Sequence, residues 1–276
     1  MNAQLCKQYN ESINVYNWFA EPKLDGNRGI IIIKNGVIKS ISRNNKPMYN
    51  TAHIEQSLLK SGFNNTVFDG EFCIGKSIAN ETWSKTTSIL RTQSKHNNSN
   101  DLKFWVFDML SIQDWKDKSN KFNLAHRKEC LKNDAENLEH IIYVEHERVI
   151  NEPSYYLKKY TDVGFEGVVF KNPISTYEFK RSADWLKLKN KFTEEFSIIS
   201  VQQGTGKYID VAGAIIINVD GVLVGVGTGM TDIERYDIWK ARNSLKGLLL
   251  EVSFQSKSKD GSLIFPVFNR IRYDLI

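Results

Sequence analysis

The pattern of apolar runs in the sequence changes near residue 190, and this change limits the possible fold more than any other feature. Up to Asn190, strand-like apolar runs alternate with segments of helical periodicity. From Lys191 onward, short apolar runs are separated by glycine-rich turns, with one helical segment at Thr231–Arg242. Short strands of this kind form a small barrel or sandwich. We therefore predict an α+β chain of two domains, 1–190 and 191–276.

Turn and capping residues divide the first part into elements. The β-branched runs Gly29–Lys34 and Val37–Ser42 are joined by Asn35-Gly36, the dipeptide that best suits a two-residue type I′ turn, so we predict a hairpin. Capping residues and apolar spacing predict three helices, over 51–62, 123–138 and 153–162. The polar segment 83–101 lacks periodicity, and we expect at least its second half to be an exposed loop.

The composition favours a globular chain without membrane segments. Hydrophobic residues make up 41% and charged residues 25% of the 276 residues, so the chain can bury a core. The longest aliphatic run, Ile30–Ile33, is far shorter than the roughly 20 residues that a membrane span needs. The start of the sequence lacks the basic and apolar stretches of a secretory signal. We therefore expect a cytoplasmic protein.

Basic residues outnumber acidic residues only in the first part of the chain. The sequence has 37 Lys and Arg against 32 Asp and Glu, and ten of each kind lie from Lys191 onward. The first 190 residues therefore hold 27 basic and 22 acidic side chains. This excess is compatible with a polyanionic partner, although mildly basic surfaces also occur in proteins that bind no polyanion.

The most informative stretch, Glu21 to Arg28, places a lysine, a carboxylate, a glycine and an arginine within six positions, just before the predicted hairpin. A lysine is a nucleophile only when neutral, which requires that its pKa of about 10.4 fall by roughly 2 to 3 units. Burial or neighbouring cations must cause that shift. Taken alone, Lys23 is explained equally well as a surface lysine in a solvated turn.

Five further motifs follow Lys23 along the chain. They are Ser42-Arg43-Asn44, Phe68-Asp69-Gly70-Glu71, the apolar strand Phe104–Leu110, Glu166–Lys171 and Trp185–Lys189. In this order and at these separations, the set resembles the nucleotidyltransferase motifs of ATP-dependent DNA ligases. The resemblance continues into Phe265–Asp274, which is similar to the closing motif of the family's oligonucleotide-binding domain. It covers the chain from about Glu21 onward and is closest to the minimal viral and bacterial forms, which have two domains.

The resemblance implies both a fold and a reaction. The implied fold is a nucleotidyltransferase (adenylation) domain of antiparallel sheets flanked by helices, followed by an OB-fold β-barrel. The implied reaction seals nicks in duplex DNA, in repair or replication. AMP from ATP is bonded to a lysine, passed to the 5′-phosphate and released when the 3′-hydroxyl attacks. The implied protein is a monomer that binds nicked double-stranded DNA and uses ATP with Mg²⁺ or Mn²⁺.

Catalytic roles are carried over from the family by motif position. Lys23 matches the lysine that attacks the α-phosphorus of ATP. Lys187 and Lys189 alternate along one strand, so both side chains point to the same face and can hold the α-phosphate. Glu71 and Glu166 are hard oxygen ligands of the kind that Mg²⁺ prefers, and by resemblance Glu71 also meets the ribose.

Further residues are implied in nucleotide and DNA contacts. Phe107 matches the aromatic ring that stacks on adenine, with Glu21 and Lys171 as contacts to adenine or phosphate. Arg28 and Arg43 are placed at the nick, since guanidinium groups suit bidentate phosphate recognition. The implied nucleotide contacts are Glu21, Lys23, Arg28, Arg43, Glu71, Phe107, Lys171, Arg181, Lys187 and Lys189.

The remaining roles concern the nick and the leaving group. The resemblance places Asp25 close to the reacting 3′ end, Arg181 near the phosphates and Arg272 at the departing pyrophosphate. Some relatives carry a long insertion that closes around DNA, but the corresponding segment, 202–213, is short. Other relatives have an acidic tail after the closing arginine, and Asp274 is a candidate substitute for it.

Two other functions remain compatible with these motifs. RNA ligases and capping enzymes share the lysine chemistry, so the first alternative is an RNA end-joining nucleotidyltransferase. The second is a nick-binding protein without catalysis. The sequences around Lys23, Phe107 and Arg272 favour DNA as the substrate. The complete set of lysines and glutamates argues against a non-catalytic protein.

Overall fold

The chain divides into two units, Met1–Lys189 and Asn190–Ile276. The structure is a computed structural model that describes residues 3–75, 82–135, 138–258 and 260–273. Its helices are α1 (Ala52–Lys60), α2 (Thr82–Arg91), α3 (Ile112–Asp117), α4 (Leu124–Ala135), α5 (Pro153–Asp162) and α6 (Asp232–Lys240). None of the helices within these ranges is both long and apolar enough to cross a membrane.

Strands make up most of the framework in both units. Those of the first unit are β1 (Leu5–Gln8), β2 (Phe19–Lys23), β3 (Asn27–Lys34), β4 (Val37–Ser42), β5 (Thr66–Ile74), β6 (Leu102–Ser111), β7 (Ile141–Tyr143), β8 (Glu147–Arg148), β9 (Gly167–Lys171) and β10 (Arg181–Lys189). Those of the second unit are β11 (Phe192–Gln203), β12 (Ala212–Val219), β13 (Val222–Val226), β14 (Leu249–Phe254), β15 (Ser256–Lys257), β16 (Leu263–Ile264) and β17 (Val267–Arg272). Antiparallel pairing dominates, and the predicted α+β class is confirmed.

One sheet of the first unit has the strand order β4-β3-β5-β6-β7. Its first two strands form the predicted hairpin, because Asn35 and Gly36 adopt φ angles of 51° and 76°, as a type I′ turn requires. Helices α1, α2 and α4 contact β4, β5 and β6. Ile31, Phe68 and Phe104 belong to the hydrophobic core on this sheet.

The other sheet of the first unit has the order β1-β10-β9-β2-β8. Helix α5 contacts β9, and Tyr156 of this helix packs in one core with Val168, Phe170 and Leu186. Apolar and basic residues alternate from Leu186 to Lys189, so this part of β10 presents one apolar and one basic face. The sheet therefore carries charged side chains on the face opposite the α5 core.

The second unit is built on a sheet of order β13-β12-β11-β14-β17. Alternating apolar residues of these strands, such as Ile215 and Ile217, form its core. An isolated bridge between Thr228 and Val267 brings the β13 end of the sheet to the β17 end. Helix α6 begins with a capping box in which Thr231 and Glu234 bond each other's backbone N–H groups. The prediction of strands with one helix is confirmed.

Local predictions and structure differ at three places. Helix α2 occupies the first half of the polar segment 83–101, and its threonines conceal the helical pattern, because Thr87 bonds the carbonyl of Trp83 at 2.7 Å. Helix α4 ends at Ala135, so Leu138 lies beyond it. Strand β1 is too short to give a sequence signal, yet it pairs in parallel with β10.

Candidate active site

Three adjacent strands arrange lysines and glutamates in two rows. In the first row, Gly167 of β9 pairs with Lys23 of β2 on one side and with Lys189 of β10 on the other. Two residues further along, β9 pairs with Glu21 and Lys187 in the same way. Residues two apart on a strand share a face, so the side chains of both rows lie on one side of the sheet. Lys187 and Lys189 share a face, as predicted.

Glu166 bridges the two lysines of the first row. It directly precedes Gly167, and its carboxylate forms ion pairs with both Lys23 and Lys189. The side chain of Glu166 is 10% exposed and each lysine side chain is 21% exposed. Burial alone would raise the pKa of Glu166, but the two ammonium groups lower it. The cluster therefore combines two cations with one anion, largely out of water.

The protonation state of Lys23 differs from the one expected. Burial would lower the pKa of Lys23, but the carboxylates of Glu166 and Glu71 outweigh this effect and raise the pKa. Lys23 is therefore an ammonium ion at neutral pH. The expectation that burial or neighbouring cations already make it neutral is wrong for this arrangement of charges, because a carboxylate contacts it directly.

Lys187 is the member of the rows with the least compensated charge. Burial lowers the pKa of Lys187, and the cations Lys189 and Lys23 lower it further. Three ammonium groups thus lie on the face that carries Glu166. An excess of positive charge at a half-buried site suits an anion such as a phosphate group.

Two further carboxylates, Asp25 and Glu71, are within electrostatic reach of Lys23. Burial raises the pKa of Glu71 to about 7, although Lys23 partly compensates. Burial and the negative charge of Glu166 raise the pKa of Asp25. Gly26 permits the close approach, since a Cβ there would overlap with the backbone of β5 and lie 2.9 Å from the Cγ of Glu71. The turn after Lys23 is therefore held against β5.

The carboxylates fit a divalent cation only together with ligands from a substrate. Glu71 and Glu166 are hard oxygen donors that repel each other, and a dication would favour the ionised form of Glu71. Within the described ranges, no group of three or more His, Cys, Asp or Glu side chains forms a complete metal site. Mg²⁺ commonly binds one or two carboxylates plus phosphate oxygens and water. The pair fits this mode of binding.

Arg28 belongs to a buried network that the sequence did not reveal. Its guanidinium group donates to both carboxylate oxygens of Asp69 at 2.6 Å and to the carbonyl of Gln4 at 3.0 Å. The hydroxyl of Tyr177 also donates to Asp69, at 2.6 Å. The guanidinium fork expected at a nick phosphate is therefore bound to Asp69 in this structure, and the contact of Arg28 with DNA stays a prediction. No sequence signal connected Tyr177 with this site.

Phe107 lies beside a buried ion cluster. The residue is 8% exposed. The Nζ of Lys171 lies 4.2 Å from the centroid of its ring and 2.6 Å from the Oε2 of Glu21. Lys128 of α4, which the sequence did not single out, lies 2.9 Å from the Oε1 of Glu21. The structure thus brings together the three predicted adenine contacts and adds Lys128. A lysine within a charged helix gives no signal of such burial.

An exposed aromatic ring near Asp25 was also missed. The backbone N–H of Trp83 donates to Asp25, and the Trp83 residue is 54% exposed. Asn27 donates to the hydroxyl of Thr87 at 2.9 Å. The first turn of α2 therefore lies against the turn that follows Lys23. The one sequence signal for this contact was a tryptophan in an otherwise polar segment.

The remaining predicted site residues are exposed or make other contacts. Arg43 is exposed directly after β4, and Arg181 donates to a backbone carbonyl of β1 at the start of β10. Arg272 belongs to the second unit, where it pairs with Glu195 of β11. Asp274 lies outside the described residues. The roles of these residues stay predictions.

Comparison with known families gives matches to both units. Residues 1–189 match the ATP dependent DNA ligase domain, and residues 203–272 match the DNA ligase OB-like domain. A curated relative, the DNA ligase of Haemophilus influenzae, is 29% identical over 80% of this chain and 76% of its own length. Two other curated relatives are much longer, and the match spans only 23% and 24% of them.

Two solved structures are similar over almost the whole chain. One, described as Pmar-Lig_Pre, has a TM-score of 0.83 at 27% identity and covers 99% of this chain and 67% of that one. Chlorella virus DNA ligase-adenylate has a TM-score of 0.54 at 26% identity and covers 99% of this chain and 98% of that one. The ligase domain match alone includes more than half of the sequence. As the order of the motifs implied, the chain belongs to the family of ATP-dependent DNA ligases.

Proposed function

We propose that this protein seals nicks in double-stranded DNA by way of AMP bonded to Lys23. The observation that carries the proposal is the contact of Glu166 with both Lys23 and Lys189. A nucleophilic lysine needs an adjacent proton acceptor and cations for the phosphate that it attacks. The proposal includes action as a monomer in the cytoplasm, where ATP is abundant.

In the first step, the Nζ of Lys23 forms a bond with the α-phosphorus of ATP. The bond from that phosphorus to the oxygen bridging the β-phosphate breaks, and its electron pair leaves with pyrophosphate. Lys23 loses two protons on the way from an ammonium ion to the phosphoramidate: one passes to Glu166, the carboxylate that contacts its ammonium group, and the other leaves with pyrophosphate. Lys187 and Lys189 stabilise negative charge on the α-phosphate. Lys23 therefore becomes neutral only as the nucleotide is bound.

In the next steps, AMP moves to the DNA and then leaves. An oxygen of the 5′-phosphate at the nick attacks the phosphorus of lysyl-AMP, the P–N bond breaks, and Lys23 regains one proton from Glu166 and one from water. The 3′-hydroxyl then loses its proton to water and attacks the 5′-phosphate, and AMP departs with the electron pair of the broken bond. Asp25, which lies in the same cluster, is proposed to orient the 3′ end.

Glu71 would hold Mg²⁺ together with phosphate oxygens of the substrate, and Glu166 would be a second ligand in the steps in which it carries no proton. When bound, the ion neutralises negative charge on the reacting phosphates. The raised pKa of Glu71, about 7, supports this role, because a nearby dication would offset the desolvation that raises it.

Membership of the DNA ligase family does not favour the two alternatives. RNA end joining uses the same lysine chemistry, but the matched families are those of DNA ligases in both units. A nick-binding protein without catalysis would have no need of the lysine and glutamate clusters. The proposed substrate is therefore the nicked DNA duplex.

Incubation with ATP labelled at the α-phosphate, followed by nicked DNA or nicked RNA, tests the proposal. We expect a heat-stable, acid-labile protein adduct that nicked DNA consumes with formation of a sealed strand. The Lys23→Ala protein serves as the control and should form no adduct. An adduct that is consumed only by nicked RNA, or not consumed at all, would contradict the proposal.

A further inference from the structure

A buried cluster beside Phe107 contains two cations, Lys128 and Lys171, but one anion, Glu21. The carboxylate of Glu21 lies 2.6 Å from the Nζ of Lys171 and 2.9 Å from the Nζ of Lys128. The three side chains are only 1% to 3% exposed. One ammonium group is enough to neutralise one carboxylate. The second lysine leaves a net positive charge in the interior.

Lys128 is held firmly in this unfavourable place. Its Nζ donates to the carbonyl of Val144 at 2.8 Å and lies 4.5 Å from the centroid of the Tyr143 ring. Burial lowers the pKa of Lys128 to about 8, in spite of the opposing effect of Glu21. An apolar side chain of similar length would fill the same volume without this desolvation cost. Packing alone therefore does not explain a lysine at this position.

The arrangement leaves a donor and an acceptor available for a ligand. Among the described residues, the Nζ of Lys171 and the Oε1 of Glu21 make no hydrogen bond of good geometry, in spite of their short ionic contacts. Lys171 also lies 4.1 Å from the centroid of the Trp185 ring, so its ammonium group is fixed between aromatic rings. Because the site is buried, a mismatched ligand group would leave these atoms unpaired, which is costly.

Adenine has the complementary pattern on its edge. Its exocyclic amine donates and its adjacent ring nitrogen N1 accepts, whereas guanine presents an accepting oxygen and a donating N1–H in the same positions. An ionised glutamate can only accept and a lysine can only donate. If Glu21 were protonated, it could also donate to the guanine oxygen, and the discrimination would be lost.

We propose that Lys128 is a positioning residue for base selection. It keeps Glu21 ionised and oriented, so that Glu21 and Lys171 present an acceptor next to a donor and select adenine. This inference rests on the proposed function, in which ATP is the nucleotide, and extends it to a residue outside the motifs.

The test compares Lys128→Met with Lys132→Met, which removes a lysine one turn further along α4. Lys132 pairs with Glu145 at the surface, with side chains 52% and 68% exposed, so it is a matched control. Adduct formation is measured with ATP and with purine riboside triphosphate, which lacks the exocyclic amine. Thermal unfolding of each variant is measured in parallel.

We expect Lys128→Met to lower kcat/KM for ATP by about tenfold and to change it little for the analogue, as the loss of one oriented contact in a buried site predicts. Its thermal midpoint should be unchanged or higher, because the remaining Glu21–Lys171 pair is neutral. Lys132→Met should leave both nucleotides unaffected. Equal losses with the two nucleotides, no loss, or a lowered midpoint without nucleotide selectivity would overturn the inference.

The failure of the proposed function has a different signature. In that case the wild-type protein forms no adduct with any nucleotide. Equilibrium binding of ATP and the analogue, each measured in a Lys23→Ala background with and without Lys128→Met, then decides the role of Lys128 alone. A preference for ATP that is lost with Lys128→Met supports the inference, and a preference that persists overturns it.

Discussion

The first unit contains buried ion pairs of two kinds, and they lie in different sheets. In the sheet β4-β3-β5-β6-β7, two buried aspartates have one arginine partner each. These balanced pairs are Arg28 with Asp69 and Arg127 with Asp108. On β2 and directly before β9, a glutamate has two lysine partners. These unbalanced clusters are Glu166 with Lys23 and Lys189, and Glu21 with Lys128 and Lys171.

The difference separates scaffold from site. In a balanced, bidentate pair the two charges neutralise each other and hold two elements together. Such a pair does not need a ligand to balance its charge. An unbalanced cluster retains a cation in a poorly solvated place, which costs free energy until an anion or another acceptor binds. Natural proteins keep such local conflicts mainly where function needs them. The glutamate of each unbalanced cluster lies on β2 or directly before β9, the two strands that pair at Lys23.

The largest effect is expected from removal of the nucleophile in the first unbalanced cluster. Lys23→Ala should abolish covalent AMP and leave the fold intact, since Lys23 is needed for bonding rather than for packing. Lys23→Arg should be equally inactive, because a guanidinium group stays protonated. Labelled adduct after gel separation is the measurement, with Lys132→Ala as the active control. Wild-type adduct levels in either Lys23 variant would contradict the proposal that Lys23 is bonded to AMP.

Removal of the carboxylates near Lys23 should also cause a large loss of nick sealing. Glu71→Ala and Glu166→Ala should each reduce nick sealing by about a hundredfold or more, because positioning and charge stabilisation supply most of phosphoryl transfer. Added Mg²⁺ or Mn²⁺ should restore only part of the rate. The surface variant Glu145→Ala is the control. Normal sealing by both site variants would show that the metal assignment is wrong.

Breaking a balanced pair should lower the stability of the protein. Asp108→Ala leaves the guanidinium group of Arg127 buried without its carboxylate, which should lower the free energy of unfolding by about 3–5 kcal/mol. Glu145→Ala, which breaks an exposed pair, should change it by less than about 0.5 kcal/mol. Chemical denaturation of the three proteins gives the values. Equal stabilities would remove the distinction between scaffold and site pairs.

Arg272 offers a test in the second unit. The family resemblance assigns it to the departing pyrophosphate, and in the structure it pairs with Glu195. Arg272→Ala should slow adduct formation from ATP by about a hundredfold, the usual effect of losing one charge-stabilising donor. It should still seal a nick supplied with a pre-adenylated 5′ end. Sealing rates on the two substrates are compared, and equal losses on both would point to folding or DNA binding.

The smallest effect is a shift in the titration of His146, which reports the charge of the Glu21 cluster. Burial, Lys128 and Lys171 lower the pKa of His146 to about 4, against Glu21 and Glu145. The unfolded state therefore binds a proton first, and the stability due to His146 is present above about pH 6.5 and lost as the pH falls towards 4. Lys128→Met should raise this pKa, because it removes a nearby cation.

Titration of the His146 ring by NMR measures the shift directly. The Nδ1 of the ring lies 3.1 Å from the hydroxyl oxygen of Tyr143, and the ring packs against Phe19 with centroids 4.0 Å apart. Both contacts should persist in the variant. Lys132→Met is again the control and should leave the titration unchanged. A pKa that does not rise in Lys128→Met would mean that the cluster carries no excess charge.

Features encoded locally could be predicted from the sequence. The Asn35-Gly36 hairpin follows from the φ angles that a short turn demands, and the shared face of Lys187 and Lys189 follows from strand alternation. The order of the motifs also gave the family. The position of Glu166 between Lys23 and Lys189 could not be predicted, because it depends on the register of three strands that are distant in sequence.

Features that depend on burial were missed for a physical reason. Lys128 looks like any lysine of a charged helix until α4 packs over β6 and directs it to Glu21. The contact of Tyr177 with Asp69 joins residues 108 positions apart. The threonines of α2 satisfy their hydroxyls within the fold and so hide a helix in a polar segment. Local pattern carries no information on any of these contacts.

The most direct test of the account is to locate the AMP on the protein. The central claim is that the nucleophile lies in the cluster of Lys23, Glu166 and Lys189, and that Lys23 is the attacking group. The wild-type protein is incubated with ATP, digested under mild alkaline conditions and mapped by mass spectrometry. The account predicts a mass increase of one AMP on the peptide that contains Lys23 and on no other. AMP on Lys187 or Lys189, or nick sealing without AMP on Lys23, would contradict it.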